Sequence, residues 1–454
     1  MRPDVGRAAV FKNFDTERAR LQVAYLGSVE SLFLALMDRG LTSEVAIQYV
    51  SRILHVNVPY VRRDVAIMVK AMGEDFLDFG AQCELNRYDP NMFVFTTRSS
   101  LSERSKLATP MHLVFALTEV CGRRCIYCYA AAKYSKAGVM SVNSPVPWED
   151  LAHEAAELGV LAIHITGGEP FLYKGILPLL SSLISNGIAT FISTKAHIDK
   201  VLSLQIADTG LQEIQVSLDS PVSEVTDFLT GVSGTHVESI NSIKNLVAAG
   251  LRVKVNTVVT SYNIEYLTQL MTTLKDLGVT RITLSPYTFS VGRHSDDLFI
   301  SDSQYEWVKG LADSSIVDLD LEAILRYENK IRESASALPI QYRQEQHLIC
   351  SGGVYGLAIG PTGTVSICER MLDVPAGELG NVIESGGITP LWESSQVESQ
   401  FVRPDQELFG ATACASCAVF DHCDSTRGRC YVRIFGHQGS LYGPDPLCPV
   451  LASQ

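Results

Sequence analysis

Three cysteines in the second quarter of the chain have the spacing of a metal-cluster ligand set. Cys121, Cys125 and Cys128 lie within the segment Cys-Gly-Arg-Arg-Cys-Ile-Tyr-Cys. Three thiolates at this spacing can bind three irons of a cubane iron–sulfur cluster and leave the fourth iron without a protein ligand. A zinc knuckle is the alternative, but structural zinc prefers four ligands, and no fourth ligand lies nearby in the sequence. The triplet therefore predicts a cluster with one open iron, where a small chelating molecule can bind.

The triplet follows a predicted strand, and strands and helices alternate from there on. Residues 110–300 contain six predicted strands with helices between them, which implies parallel strands and right-handed crossovers. The count favours an α/β fold with an open, partial (β/α)6 TIM-type barrel over a complete eight-stranded barrel. In either barrel, chemistry belongs at the carboxyl ends of the strands, where the triplet lies. The predicted strands are 112–118, 161–166, 189–194, 213–219, 252–259 and 281–285.

Glycine and polar residues stand where several of these strands end. Gly167 and Gly168 follow the second strand in the segment Gly-Gly-Glu-Pro, and glycines allow the backbone to approach a ligand closely. A plain turn and helix capping are the alternative explanations for residues at these positions. His164 lies mid-strand among apolar residues, which predicts an interior histidine rather than a ligand. The further candidates at strand ends are Glu169, Ser193, Thr194, Ser217, Asp219 and Asn256.

The composition is that of an acidic, folded protein. The formal net charge is −13, with 46% hydrophobic and 19% charged residues, so a sizeable core is expected and global disorder is not. No basic face or run of lysine and arginine stands out, which argues against nucleic acid as a partner. Residues 1–14 lack a signal-peptide core and no long uncharged apolar stretch occurs, so we expect no membrane span and a cytoplasmic location.

A second group of cysteines lies near the carboxyl end. The chain has 11 cysteines, and apart from the triplet and Cys83, which fits a small buried side chain, all lie after residue 349. Disulfides are rare in a reducing compartment, so clustered cysteines there favour metal binding or catalysis. Residues 346–454 are also poor in periodicity, which predicts a domain that needs metal to fold. Cys414 and Cys417 alone also fit half of a zinc ribbon.

The triplet, with Tyr127 before its last cysteine and a strand upstream, resembles the radical S-adenosylmethionine (radical SAM) superfamily. The resemblance implies that the open iron binds the amino and carboxylate groups of S-adenosylmethionine. Reduction of the cluster then cleaves this cofactor to a 5′-deoxyadenosyl radical, which removes a hydrogen atom from the substrate. It also implies that Glu169 pairs with the methionine ammonium. The implied cofactor contacts are Tyr127, Gly167, Gly168, Glu169, Ser193, Ser217, Asp219 and Asn256.

The carboxyl-terminal cysteines resemble the SPASM domain, which carries two auxiliary four-iron clusters in peptide-modifying radical enzymes. With the radical site, the resemblance implies three [4Fe-4S] clusters. One spacing departs from the family, because more residues separate Cys423 from Cys430 than the family has. The ten cysteines leave the first auxiliary cluster one ligand short, which suggests an iron open to a substrate group or a non-cysteine ligand. The implied first set is Cys350, Cys368 and Cys430, and the implied second set is Cys414, Cys417, Cys423 and Cys448.

Glu369 follows Cys368 directly and is a candidate catalytic residue. The resemblance to sulfatase-maturing enzymes implies that a carboxylate at this place takes a proton from the substrate, as a general base does. The alternatives are a surface glutamate and an ion pair with the adjacent Arg370.

Residues 1–85 are predicted to form a small winged-helix unit, with a strand at 20–26 and helices near 29–37, 43–53 and 58–72. The pattern resembles the PqqD-like peptide-recognition element, which implies that the leader of a precursor peptide adds to its sheet as an extra strand. A winged-helix packing module and a DNA binder are the alternatives, and the mixed charge disfavours DNA. Residues 86–109 are a predicted linker, and residues 301–345 a predicted bridging region.

Taken together, the resemblance implies an enzyme that matures ribosomally synthesised and post-translationally modified peptides (RiPPs). The expected reaction installs a carbon–sulfur or carbon–carbon crosslink in a precursor peptide and needs an external electron donor such as flavodoxin or ferredoxin. Epimerisation, residue excision and oxidation to a formyl group are alternative reactions. A non-catalytic iron–sulfur scaffold that regulates another maturase is the alternative of a different class.

Overall fold

A computed structural model gives the fold of the chain. Among the described residues, those up to residue 108 form one compact unit, and those from residue 109 onward form another. In these two described units, no helix is long and apolar enough to cross a membrane. The predicted cluster ligands Cys350 and Cys423, and the unassigned Cys83, lie outside the described residues. The described residues are 1–4, 7–11, 23–76, 88–95, 106–136, 142–311, 317–319, 352–418, 420, 429–446 and 448.

The first unit combines a three-stranded antiparallel sheet with three helices. Leu32, Val50, Val61 and Met68 recur at helical spacing and are completely buried, because the three helices pack their apolar stripes against one another. The three predicted helices are therefore confirmed, and the sheet has two strands more than the sequence pattern indicated. Its elements are β1 (Arg2–Asp4), β2 (Arg7–Phe11), β3 (Val23–Leu26), α1 (Ser28–Asp38), α2 (Ser43–Leu54) and α3 (Val58–Phe76).

Part of the predicted linker belongs to the core of this first unit. A 3-10 turn, Pro90–Phe93, brings the Phe93 ring into the core, where it is 1% exposed. Tyr88 packs edge-on against that ring at 6.1 Å, and its backbone N–H donates to the Asp38 carboxylate at 3.1 Å. The segment around Phe93 shows neither helical nor strand periodicity, so the sequence pattern did not indicate this packing.

The second unit is built on one ten-stranded sheet. The six predicted strands lie at its centre in chain order, each parallel to its neighbours, so these predictions are confirmed. Two further parallel strands flank the six, and two antiparallel strands extend one edge. The strands are β4 (His112–Ala116), β7 (Ala162–Thr166), β8 (Ala189–Thr194), β9 (Glu213–Ser217), β10 (Arg252–Val259), β11 (Arg281–Pro286), β12 (Val317–Leu319), β13 (Gly356–Ile359), β14 (Thr364–Ser366) and β15 (Glu378–Asn381), and the two-residue strands β5 (Val120–Cys121) and β6 (Lys133–Tyr134) pair separately.

Helices follow the strands of the barrel as the βα pattern requires. Leu179, Leu183, Leu246 and Leu270 lie on the apolar stripes of these helices and are completely buried. The α/β barrel prediction is therefore confirmed as a partial, open sheet with helices packed on it. The helices are α4 (Trp148–Glu157), α5 (Ile176–Ser185), α6 (Lys200–Asp208), α7 (Ser223–Thr230), α8 (Thr235–Ala248), α9 (Leu267–Asp276) and α10 (Asp302–Leu311).

The cysteine-rich segment continues the barrel sheet. β13 pairs in parallel with β4, with Gly356 opposite His112, so this segment is joined to the first barrel strand. A second connection comes from the Glu154 carboxylate on α4, which accepts from the backbone N–H groups of Ile388 and Thr389, each at 2.8 Å. The helices of this segment are short: α11 (Val382–Ser385), α12 (Thr389–Glu393), α13 (Ser395–Val397) and α14 (Tyr431–Gln438).

Candidate active site

The cysteine triplet lies on the loop that leaves the carboxyl end of β4. Cys121 and Cys125 are buried and Cys128 is half-buried, and all three are free thiols. The loop is fixed to the end of α7, because the backbone N–H of Ile126 donates to the carbonyl of Leu229 at 3.0 Å. The structure thus places the three predicted ligands on one loop at the edge of the sheet where barrel enzymes do their chemistry.

Arg293 holds this loop from the opposite side. Its guanidinium donates to the carbonyl oxygens of Cys125 at 3.0 Å and Ala132 at 2.7 Å, and its backbone N–H donates to the carbonyl of Cys128 at 2.9 Å. Arg293 therefore fixes both ends of the segment that carries the last two thiols. Nothing in the sequence marked it, because it stands in an aperiodic loop after β11, far from the triplet in the chain.

Replacing Arg293 by alanine is expected to loosen the triplet. The two guanidinium contacts to the loop are lost in this variant, and hydrogen bonds to a charged donor contribute about 1.5–3 kcal/mol each. Replacing a residue that supports a metal ligand typically lowers metal affinity or activity about 10–100-fold. We therefore expect iron content to fall and S-adenosylmethionine cleavage to slow about tenfold or more. The measurements are iron and sulfide content and the 5′-deoxyadenosine formation rate.

Arg124→Ala is the matched control for this change. Arg124 lies on the same loop, is exposed, and its side chain donates one hydrogen bond, to the carbonyl of Gly231 at 3.0 Å. It should leave iron content within error of wild type. Equal iron loss in both variants would show that iron binding depends on either arginine alike. The contacts of Arg293 to the loop would then have no special role.

The three thiols act on one another electrostatically. The pKa of Cys121 is raised to about 12, first by burial and then by Glu169, Cys125 and Cys128, while a backbone hydrogen bond from Arg123 opposes the increase. Burial also raises the pKa of Cys125, whereas Lys195 lowers it. Metal ligands must be thiolates, so this donor set fits a group that brings its own positive charge to the site. Among the described residues, no three His, Cys, Asp or Glu side chains meet closely enough to bind a single metal ion.

The Gly-Gly-Glu-Pro segment lies directly against the start of the triplet loop. Gly167 has a φ of +123°, and a Cβ there would lie 2.6 Å from the carbonyl oxygen of Thr118. A Cβ on Gly168 would lie 2.2 Å from the carbonyl oxygen of Val120, the residue before the first cysteine. The next backbone N–H, of Glu169, donates to that same oxygen at 2.8 Å. Only glycine allows the two backbones to approach this closely.

Glu169 is buried, and its carboxylate is held by three donors. Oε1 accepts from the hydroxyl of Thr194 at 2.7 Å and from the backbone N–H of Phe171 at 3.2 Å, and Oε2 accepts from the backbone N–H of Lys195 at 2.9 Å. Burial raises the pKa of Glu169, and these hydrogen bonds oppose the increase. Its orientation at the ends of β7 and β8 is therefore fixed before any ligand binds.

Asp219 lies at the end of β9 and is completely buried. Oδ1 accepts from the backbone N–H of Val258 at 3.1 Å, and Oδ2 accepts from the hydroxyl of Tyr127. Tyr127 lies between the last two cysteines of the triplet in the sequence. Nζ of Lys195 lies 4.0 Å from the same Oδ2. Lys195 had no sequence signature, because a lone lysine after a strand belongs to no spacing pattern.

The remaining strand-end candidates lie deeper in the sheet. Nε2 of His164 is 3.1 Å from the Ser193 hydroxyl, which also accepts from the Gln215 carboxamide at 2.9 Å. Asn256 accepts from the Ser285 hydroxyl at 2.9 Å and stands opposite Ser217 in register. Burial lowers the pKa of His164 to about 4, so this histidine is uncharged at neutral pH. It lies in the sheet as an interior histidine, with Ser193 as partner.

Cys368 and Glu369 are adjacent in the chain, and their side chains lie close to each other. Sγ of Cys368 is 3.7 Å from Oε2 of Glu369. The pKa of Tyr129, the residue after the last thiol of the triplet, is raised by burial first and then by Glu369, and its hydroxyl lies 3.0 Å from that of Thr166. The carboxylate of Glu369 therefore stands close to the loop of the triplet rather than on a distant surface.

Two of the other carboxyl-terminal cysteines, Cys417 and Cys448, act electrostatically on a third, Cys414. The pKa of Cys414 is raised by burial, lowered by Arg429, and raised by Cys448 and Cys417. The carboxamide of Gln406 donates to the carbonyl of Cys414 at 2.9 Å and to that of Cys417 at 3.3 Å, which fixes this turn. Cys430 is held separately, since its backbone N–H donates to the Asp445 carboxylate at 3.2 Å.

Known proteins match this chain in sequence and in fold. Its residues 115–274 match the sequence profile of the Radical SAM superfamily. The chain is 26% identical over 349 residues to the mycofactocin maturase MftC of Mycobacterium tuberculosis, a match that covers 75% of this chain and 83% of that relative. It is 24% identical over 351 residues to the PqqA peptide cyclase of Granulibacter bethesdensis, covering 76% of this chain and 88% of the relative.

A crystal structure of Streptococcus suis SuiB bound to the precursor peptide SuiA has the same fold. The two superpose with a TM-score of 0.67 at 19% identity, over 99% of this chain and 100% of that one. The sequence match, the shared fold and the placement of the triplet at the carboxyl edge of the parallel strands agree. The chain therefore contains a radical SAM domain, which spans residues 115–274.

Proposed function

We propose that this enzyme matures a ribosomally synthesised precursor peptide by installing a carbon–sulfur or carbon–carbon crosslink. The observation that carries the proposal is the likeness to two radical SAM relatives named for peptide products, a mycofactocin maturase and a PqqA peptide cyclase, over about three quarters of this chain. The match in fold to SuiB, whose crystal structure holds a precursor peptide, supports it.

The residues of the site have distinct proposed roles in this reaction. Cys121, Cys125 and Cys128 hold a [4Fe-4S] cluster, which together with S-adenosylmethionine supplies the radical that removes hydrogen from the peptide. Glu169, fixed by its three donors, pairs with the ammonium of the cofactor. At Gly167 and Gly168 the backbone lies directly against the triplet loop. This contact would keep the bound cofactor and the three thiols in a fixed position relative to each other. The further proposed contacts are Tyr127, Ser193, Ser217, Asp219 and Asn256.

We propose that the cysteine-rich segment removes the proton and the electron in the second half of the reaction. Forming one crosslink removes two hydrogens: one leaves as an atom in 5′-deoxyadenosine, and the other leaves as a proton and an electron. We assign the proton to Glu369, whose carboxylate lies near Tyr129 and the triplet loop, as general base. Cys368 and its partners would hold an auxiliary [4Fe-4S] cluster, which would supply an acceptor for the electron. An external donor such as flavodoxin or ferredoxin reduces the radical-site cluster.

Two auxiliary clusters are proposed on the carboxyl-terminal cysteines. Cys417 and Cys448 both act electrostatically on Cys414 although Cys448 is far along the chain, which supports their assignment to the second cluster with Cys423. Cys368 and Cys430 are assigned to the first cluster with Cys350, which leaves one iron open to a substrate group. Cys350 and Cys423 lie outside the described residues, so their assignment depends on the sequence spacing.

Residues 1–85 are the proposed binding element for the leader of the precursor peptide. Its three-stranded antiparallel sheet is the kind of surface to which an extended peptide can add as a further strand, with main-chain hydrogen bonds giving affinity. The core peptide would then be presented to the radical SAM domain. This division of labour explains why one chain combines a small α/β unit with a barrel.

The decisive experiment is co-expression with a candidate precursor peptide, sought among the short reading frames next to this gene, followed by mass spectrometry. A crosslink lowers the peptide mass by two hydrogens for each bond formed, and fragmentation shows no cleavage inside the ring. An unchanged mass with an inverted residue would indicate epimerisation, and a larger loss would indicate excision. A peptide left unmodified while 5′-deoxyadenosine accumulates would contradict the assignment of this peptide as substrate.

A further inference from the structure

Lys195 places a buried positive charge at the edge of the sheet that carries the cysteine triplet. It follows β8, its side chain is 15% exposed, and Nζ lies 5.2 Å from the centre of the Tyr127 ring. Its backbone N–H is also engaged, as a donor to the Glu169 carboxylate. A buried ammonium is unfavourable unless anions compensate it, so its neighbours decide what it does.

Asp219 provides only part of that compensation. Its Oδ1 accepts from the backbone N–H of Val258 and its Oδ2 accepts from the hydroxyl of Tyr127, so two donors already use this carboxylate. The Lys195 ammonium stands 4.0 Å from Oδ2, at the outer limit of an ion pair. A cation that only neutralised Asp219 would be expected at hydrogen-bonding distance.

The other anions that act on Lys195 are the thiols of the triplet. Burial lowers the pKa of Lys195, but Asp219 and all three cysteines raise it, and the anions prevail. The ammonium lies beside the Asp219 carboxylate and against the Tyr127 ring, and Tyr127 stands between Cys125 and Cys128 in the triplet loop.

We propose that Lys195 is a positioning residue whose fixed charge stabilises the reduced state of the radical-site cluster and so raises its reduction potential. The proposal rests on the cluster assigned to Cys121, Cys125 and Cys128. Net charge near an iron–sulfur cluster is one of the main determinants of its potential. Reduction adds an electron to a site that already holds three thiolates, and a nearby ammonium compensates the added negative charge. Asp219 and Tyr127 keep the ammonium in place by charge and cation–π contact.

The test is the midpoint potential of the cluster in three variants, measured by redox titration with EPR detection. The signal that changes when S-adenosylmethionine is added identifies the radical-site cluster. Lys195→Gln should shift its potential to a more negative value, whereas Lys195→Arg, which keeps the charge, should remain near wild type. Lys254→Gln is the control, because Lys254 lies on β10 and acts on His164 instead of the triplet.

A kinetic measurement adds a second, separable readout. Lys195→Gln should form 5′-deoxyadenosine more slowly than wild type with flavodoxin, and a stronger chemical reductant should restore much of the rate. An unchanged potential in Lys195→Gln overturns the proposal, even if cofactor affinity falls, and so does an equal shift in Lys195→Arg. If the wild-type protein assembled no cluster at the triplet, the function proposed above would fail first, which distinguishes the two.

Discussion

Replacing Cys125 by serine should abolish cluster assembly at the radical site and stop S-adenosylmethionine cleavage. The thiol is buried at the centre of the triplet loop, between contacts to α7 and to Arg293, so no other thiol can move into its place. Serine keeps the size of the side chain but offers a poor iron ligand. Replacing a residue that only supports a metal ligand lowers metal affinity or activity about 10–100-fold. Losing the ligand itself should therefore lower the rate of 5′-deoxyadenosine formation by more than about 100-fold.

Cys368→Ser is the control variant for this experiment. Cys368 is assigned to an auxiliary cluster, so its loss should leave cofactor cleavage near the wild-type rate while the peptide stays unmodified. Iron content should fall in both variants, but the EPR change on adding S-adenosylmethionine should be lost only in Cys125→Ser. If Cys125→Ser kept both its iron content and turnover, the triplet would not be the radical site.

The sequence predicted those parts of the site that are contiguous in the chain. The triplet and the Gly-Gly-Glu-Pro segment each lie within eight residues, and their position after a strand depends only on local βα alternation, so both could be located in advance. Lys195 and Arg293 could not be located. Each acts on the triplet from a loop more than 60 residues away, and such a contact leaves no local pattern.

The flanking strands were missed for a different physical reason. β13 is completely buried, so its four residues show no alternation of polar and apolar side chains that would distinguish a strand. β12 follows a charged segment. Its three residues are too few to show any periodicity. Both strands gain their stability from pairing with a barrel strand already in place, a contact that depends on the tertiary fold.

Gly168→Ala should inactivate the enzyme although it adds only one methyl group. The added Cβ would lie 2.2 Å from the carbonyl oxygen and 2.6 Å from the carbonyl carbon of Val120, and neither backbone atom can rotate away. The chain must therefore shift by more than about 1 Å, a typical separation of van der Waals contact being ~3.5–4 Å. Val120 immediately precedes Cys121, so the shift reaches a proposed iron ligand directly.

A displacement of this size near reacting groups can lower a rate about 100-fold, and we expect at least that loss in 5′-deoxyadenosine formation. Gly122→Ala is the matched control, because it lies in the same loop, and a Cβ there meets no atom within 4 Å. It should retain activity, with thermal unfolding near wild type. If Gly168→Ala were as active as Gly122→Ala, the close approach of the two backbones would not set the position of the triplet. The glycine would then be required only for the turn that follows β7.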